Sequence, residues 1–201
     1  MDERHRYATE EERKIYMEPT IPVIAGTFSG TVRIIGGGKS MWDDFKESEV
    51  LLQGTDIICV NIAGMVIPKA KHLFSWHKKQ ISAIKDFRMA EWPDDKSIVH
   101  SVQEYRNVNW EWRFNGGTSV SGLSCIDLAH LLGYDRIALV GIPMDGNGYF
   151  YKPNDNPDMH DKYRHKEVGK LKELYGNKVK SFSGYTNEIF GHPKEWGNVS
   201  I

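Results

Sequence analysis

The chain has 201 residues, enough for one domain that buries roughly 70% of the surface its unfolded form exposes. Its 26 basic and 27 acidic side chains nearly cancel, so no global field recruits nucleic acid, and no apolar run approaches the roughly 20 residues of a membrane span. Cys59 and Cys125 sit in apolar runs, where thiols behave as small hydrophobes, and the first residues are charged where a signal peptide would be apolar, so a cytoplasmic protein is expected.

Residues 1–20 are rich in charge and poor in apolar positions, which predicts an arm outside the core, followed by one nucleotide-binding domain over 21–201. Ile21 to Ala25 reads as a short edge strand, because Pro22 cannot donate to a ladder, and Thr31 to Ile35 as the first central strand. A helix over Asp43 to Leu52 follows, then strands over Asp56 to Asn61 and His72 to Ser75, a helix over Lys78 to Arg88 and a strand over Ser97 to His100. Val108 to Phe114 alternates and predicts an extended piece. Ser121 to Leu132 is the central helix, closed by Gly133 in the left-handed conformation, and Arg136 to Gly141 is the most buried strand. Asn156 and Pro157 start a helix that runs to about Tyr175, and Val179 to Phe182 is the last strand. The tail from Ser183 to Ile201 is expected to be irregular, with Trp196 as an anchor. Strands alternating with helices predict a single α/β Rossmann-like domain, a mostly parallel sheet with helices on both faces.

Ligands of open α/β sheets bind beyond the C-terminal strand ends, which places three segments together as a site. The first is Gly36-Gly37-Gly38-Lys39-Ser40 after the first strand. It is not a Walker A loop, which would need glycine in place of Arg33, nor a dinucleotide fingerprint, which would need glycine in place of Met41. A glycine loop opening a helix still suits a phosphate. The second is Asn61 at a strand end, either a turn-former or a ligand contact, with the turn of Thr118, Ser119, Ser121 and Gly122, which caps the central helix or holds a ligand. The third is the loop after Gly141. There Asp145 contacts a ribose, binds a cation or forms an Asx turn, and Tyr149 and Tyr151 donate to a phosphate or pack as half-buried aromatics.

The histidines and cysteines match no zinc spacing, so no metal site is expected. His160 and His165 fall early in the helix after the tyrosine loop. Arg164, Val168, Leu171 and Tyr175 form one stripe of that helix, which His160 extends and His165 leaves to one side. The positive end of a helix dipole favours the neutral imidazole that a general base requires, and a packed, hydrogen-bonded histidine is the alternative.

The glycine loop, the strand ending in Asn61, the Ser/Gly turn and LAHLLGYDRIALVGIPMD followed by tyrosines resemble the bacterial lipo-oligosaccharide sialyltransferases. The combination is also similar to the archaeal 6-hydroxymethylpterin diphosphokinase-like family, over roughly Thr31 to Phe182. The first resemblance implies a single Rossmann-like domain, a sugar donor activated by cytidine monophosphate and no metal cofactor. Asn61 would contact the donor, Tyr149 and Tyr151 would support the leaving phosphate, and His160, with His165 second, would deprotonate the acceptor. The Gly-Pro-Ser typical of both families is replaced here by Gly-Gly-Lys-Ser, whose lysine suits a diphosphate or triphosphate. The second resemblance implies Mg²⁺, with Asp145 or Asp155 as its carboxylate. A nucleotide-binding module without catalysis is the third reading. The acceptor and the oligomeric state are open.

Overall fold

β-Branched residues fill alternate positions of the central strands, so each strand feeds two cores. In the computed structural model, which describes residues 24–101, 118, 120–152 and 161–197, Val32, Ile34, Ile58, Val60, Ile137 and Leu139 face one layer. Ile35, Ile57, Cys59, Ala138 and Val140 face the other.

The strands are β1 (Thr31–Ile35), β2 (Asp56–Val60), β3 (His72–Phe74), β4 (Ile98–His100), β5 (Arg136–Val140) and β6 (Val179–Ser181). The helices are α1 (Met41–Leu51), α2 (Lys78–Glu91), α3 (Ser121–Leu132), α4 (Asp161–Tyr175) and α5 (Gly184–Phe190). The sheet order is β4-β3-β2-β1-β5-β6, and every pairing is parallel. Leu123, Ile126, Val168, Leu171 and Phe190 bring α3, α4 and α5 onto the first layer, while Met41, Ile81 and Ile84 bring α1 and α2 onto the second. The chain reverses its direction of growth between β1 and β5, the switch point at which open α/β sheets hold ligands.

α3 spans the predicted residues, and Gly133 closes it at φ +108°. Two expectations are corrected. Residues 24–26 form a turn, so the described part of Ile21 to Ala25 is not a strand. The described part of the tail, Ser183 to Gly197, is not irregular: α5 packs on the first core through Phe190, and a 3-10 turn over Pro193–Trp196 follows. Trp196 does anchor it, donating its Nε1–H to the Asn177 carbonyl at 2.9 Å. The N-terminal arm, Val108 to Phe114 and the predicted start of α4 lie outside the described residues.

Two buried polar systems brace the sheet. Tyr134 donates to Asp56 at 2.7 Å, so its oxygen accepts from His72 Nε2–H at 3.0 Å, and His72 Nδ1 in turn accepts from His100 Nε2–H at 3.0 Å. Burial pushes His72 down to about 4 and His100 well below the usual imidazole range, so both rings are neutral at pH 7. Arg88 of α2 donates to the carbonyls of Gly64, Ile67 and Pro68 and, through two nitrogens, to Asp95. It thereby fixes the 3-10 turn (Asn61–Met65) that carries Asn61.

Candidate functional site

A cleft of about 230 Å³ opens at the switch point, between the C-terminal ends of β1, β2 and β5 and the start of α3. Its floor is two backbones in close contact. A Cβ on Gly36 would lie 2.4 Å from Ile142 Cγ1 and 2.7 Å from the Gly141 carbonyl oxygen, and one on Gly38 would lie 2.5 Å from Pro143 Cδ. The glycines at 36 and 38 therefore let the β1 and β5 loops touch.

That contact uses up most of the loop's donors. Gly36 N–H donates to Val140, Gly38 N–H to Gly141 and Lys39 N–H to Gly148, at 2.8, 2.8 and 3.1 Å. Among the described residues nothing accepts the Gly37 N–H, and Gly37 lines the cleft. Lys39 is exposed and does not line the cleft, and neither does Ser40, whose hydroxyl bonds Asp44 and Ser183. The expected phosphate cradle of five residues thus reduces to Gly37 with its flanking glycines.

The start of α3 faces the same cleft through Ser121 and Gly122. Val120, the residue before the helix, offers no side-chain acceptor, so among the described residues no side chain caps the first N–H groups of α3, and a helix start left in this way beside a cleft suits an anion. Thr118 does not line the cleft; its hydroxyl bonds the Val120 carbonyl and Ser124 at 3.1 Å each and braces the turn. Ser119 lies outside the described residues.

Asn61 both turns the chain and faces the cleft. It adopts φ +54°, which asparagine tolerates better than most residues, and its Oδ1 accepts from Ser75 at 2.8 Å. With Oδ1 engaged in this way, the amide N–H donors are what Asn61 can offer a ligand in the cleft it lines. Met144, also on the cleft wall, holds φ +53°, a left-handed conformation that costs free energy and clusters at functional sites. Asp145 accepts from Asn147 N–H at 3.1 Å, the Asx turn anticipated as one of its roles, and lies at the rim.

Tyr149 and Tyr151 line the cleft with their rings stacked, 5.3 Å between centroids. Their backbone is pinned to the glycine loop by a bridge between Gly38 and Tyr149 and by Phe150 N–H donating to Gly37 at 3.1 Å.

His165 is not brought to the cleft. Its ring stacks on Tyr185 of α5, 3.7 Å between centroids, as its place beside the α4 stripe implies. His160 lies outside the described residues. Among the wall residues that escaped sequence reasoning are two with ionisable side chains. His77 precedes α2, is exposed and lines the cleft; Arg164 of α4, counted in the packing stripe, contributes to the wall instead. Nothing local marked His77, which reaches the site because β3 lies two strands from β1. Among the described residues no group of three or more His, Cys, Asp or Glu side chains is placed to hold a metal ion.

No protein-family model matches the chain, and no curated protein matches it. The fold, however, is shared with a solved enzyme. The sialyltransferase CstII from Campylobacter jejuni, in complex with the substrate analogue cytidine-5'-monophosphate, matches with a TM-score of 0.59 at 15% identity, covering 85% of this chain and 87% of that one. CstII in complex with CMP-3FNeuAc matches with a TM-score of 0.56 at 11% identity, covering 87% and 89%. The likeness establishes that the chain has the α/β fold of that enzyme.

Proposed function

We propose that this protein transfers a sugar from a cytidine-monophosphate-activated donor to an acceptor hydroxyl, without a metal cofactor. The observation that carries the reading is the convergence, in one cleft at the switch point, of the uncapped α3 N-terminus, the Asn61 amide, two tyrosines and Arg164. These are donors and positive charge, with Asp145 the one carboxylate among the described residues that line the cleft, a balance that suits a phosphate leaving group. The fold shared with CstII, solved with cytidine-5'-monophosphate, supports the choice of nucleotide.

In the reaction the acceptor oxygen attacks the anomeric carbon, and the bond from that carbon to the phosphate oxygen breaks with its electron pair leaving on the phosphate. Tyr149 and Tyr151 hydroxyls and the α3 N–H groups of Ser121 and Gly122 donate to the charge that develops there. Asn61 orients the donor. Gly37 and the flanking Gly36 and Gly38 admit the nucleotide close to the backbone, with Asp145 at the rim toward the ribose. The acceptor proton passes to a histidine: His77, on the wall, or His160, four residues before the wall residue Arg164.

The test is a thermal-shift series with cytidine, uridine, guanosine and adenosine mono-, di- and triphosphates, each with and without Mg²⁺. A ligand present at about 100 times its dissociation constant adds about 2.7 kcal/mol. Stabilisation by the cytidine nucleotide alone, equal in chelator, is the expected result. A shift that requires Mg²⁺ and a nucleoside triphosphate would replace this reading with diphosphate transfer.

A further inference from the structure

A continuous chain of aromatic rings leads out of the cleft onto the surface. Tyr149 stacks on Tyr151, Tyr151 meets Phe150 edge-on at 5.2 Å, Phe150 meets Trp42 at 5.9 Å, and Trp42 meets Phe45 at 6.5 Å. Phe45 and Phe150 pack on the core of the second layer, so they form the base of the ridge. Trp42 and Tyr151 form its crest, 48% and 43% exposed. The backbone beneath is held by the ties to Gly37 and Gly38 and by the pairing of Tyr149 with Lys152.

Such a crest exposes roughly 200 Å² of ring surface, given the 150–250 Å² that a large aromatic buries. A stable protein contact needs about 800 Å² on each partner, so the ridge is too small to carry a second copy. It is about the size of one or two pyranose rings, whose C–H faces are apolar plates that stack on indole and phenol. The chain neighbours of the two crest residues, Asp43 and Lys152, are exposed and of opposite sign, so the charge nearby has no single sign to select a charged ligand over a neutral one. Continuity with the cleft sets the direction, because Tyr151 belongs to both the cleft wall and the crest.

We infer that Trp42 and Tyr151 form the acceptor platform, on which a neutral terminal sugar of an acceptor glycan stacks beside the donor cleft. The inference rests on the proposed sugar transfer for its direction, and its binding test is independent of that reading. Saturation-transfer NMR is run with the methyl β-glycosides of galactose, glucose and N-acetylglucosamine on the wild type, Trp42→Ala and Trp42→Phe. Cytidine monophosphate affinity is measured on the same three proteins. The expected result is transfer to the ring C–H protons of at least one glycoside in the wild type, its retention in Trp42→Phe, and at least a fivefold weakening in Trp42→Ala with nucleotide affinity unchanged. Wild type that binds no glycoside, or an undiminished signal in Trp42→Ala, overturns the platform. Loss of nucleotide affinity in Trp42→Ala makes the ring a base platform, and a dimer abolished by that substitution makes it an interface; either overturns the inference. Glycoside binding without any nucleotide binding keeps the platform and removes the donor reading.

Discussion

The carboxylate of Asp44 on α1 accepts a hydrogen bond from the backbone N–H of Gly141 at 2.9 Å, joining the first helix to the strand end on which the cleft is built. The same oxygen accepts from Ser183 at 2.6 Å and Ser40 at 3.1 Å, so one side chain ties the glycine loop, the end of β5 and the residue before α5 together. Burial raises the Asp44 carboxyl above its ordinary range, against the pull of these donors. Asp44→Ala leaves the Gly141 N–H buried without its acceptor and should cost about 1–3 kcal/mol, whereas Ser183→Ala, which removes one donor, should cost about 0.5–1.5 kcal/mol. Urea denaturation of both variants checks this. Equal losses would mean that the Gly141 bond contributes nothing of its own.

The glycine loop offers a contrast between neighbours. Gly36→Ala drives a methyl into Ile142 and the Gly141 carbonyl and should destabilise by about 1–3 kcal/mol. Gly37→Ala meets Tyr151 Cε1 at 3.3 Å and Tyr149 Cδ1 at 3.7 Å, which small ring movements can absorb. Thermal melts should show a large fall for the first variant and a small one for the second, while nucleotide affinity falls in the second. Undiminished affinity in Gly37→Ala would remove that residue from the site.

Arg88 is 1% exposed and is the donor that organises the turn leading from Asn61. Arg88→Ala strands Asp95, whose carboxyl the guanidinium holds below its ordinary range, and should cost about 3–5 kcal/mol. Arg88→Lys keeps the charge and loses the two-pronged contact, so its chemical-denaturation midpoint should lie between those of wild type and Arg88→Ala. A neutral effect of Arg88→Ala would show that the turn is held by other contacts.

His72 and His100 make folding sensitive to acid. Their folded-state pKa values lie below the unfolded value of about 6.5, so the unfolded chain binds more protons as the pH falls. The stability contribution is complete above about pH 6.5 and is lost as the pH drops toward about 4, at a slope approaching 1.4 kcal/mol per pH unit for each ring. Urea unfolding from pH 8 to pH 4.5 should show this decline, and His72→Gln should make it shallower. An identical slope in the variant would assign the acid sensitivity to other groups.

His77→Ala and His160→Ala divide the proposed base role. The variant that removes the base should lower turnover of a cytidine-activated sugar about 10² to 10⁴-fold with nucleotide affinity kept. Full turnover in both would take histidine out of the proton transfer.

The order of strands and helices was written in the sequence because local periodicity reports burial. The β-branched runs Thr31 to Ile35 and Arg136 to Val140, and the apolar helix closed by Gly133, needed no knowledge of their neighbours. α5 was hidden, since it is short, begins at a glycine with φ +65° and is held by distant contacts, with Thr186 N–H and Oγ1 bonded to the carbonyls of Pro143 and Ile142. The site divides in the same way. That Asn61, Tyr149, Tyr151 and the glycines 36–38 would lie together at the cleft was legible because they follow the ends of parallel strands. Only the tertiary structure decided that β5 lies beside β1, so that the donors of Gly36, Gly38 and Lys39 are satisfied by its loop, that His165 turns onto Tyr185, and that His77 reaches the cleft. Those outcomes depend on which strand becomes a neighbour, a choice made by long-range packing that a local pattern does not encode.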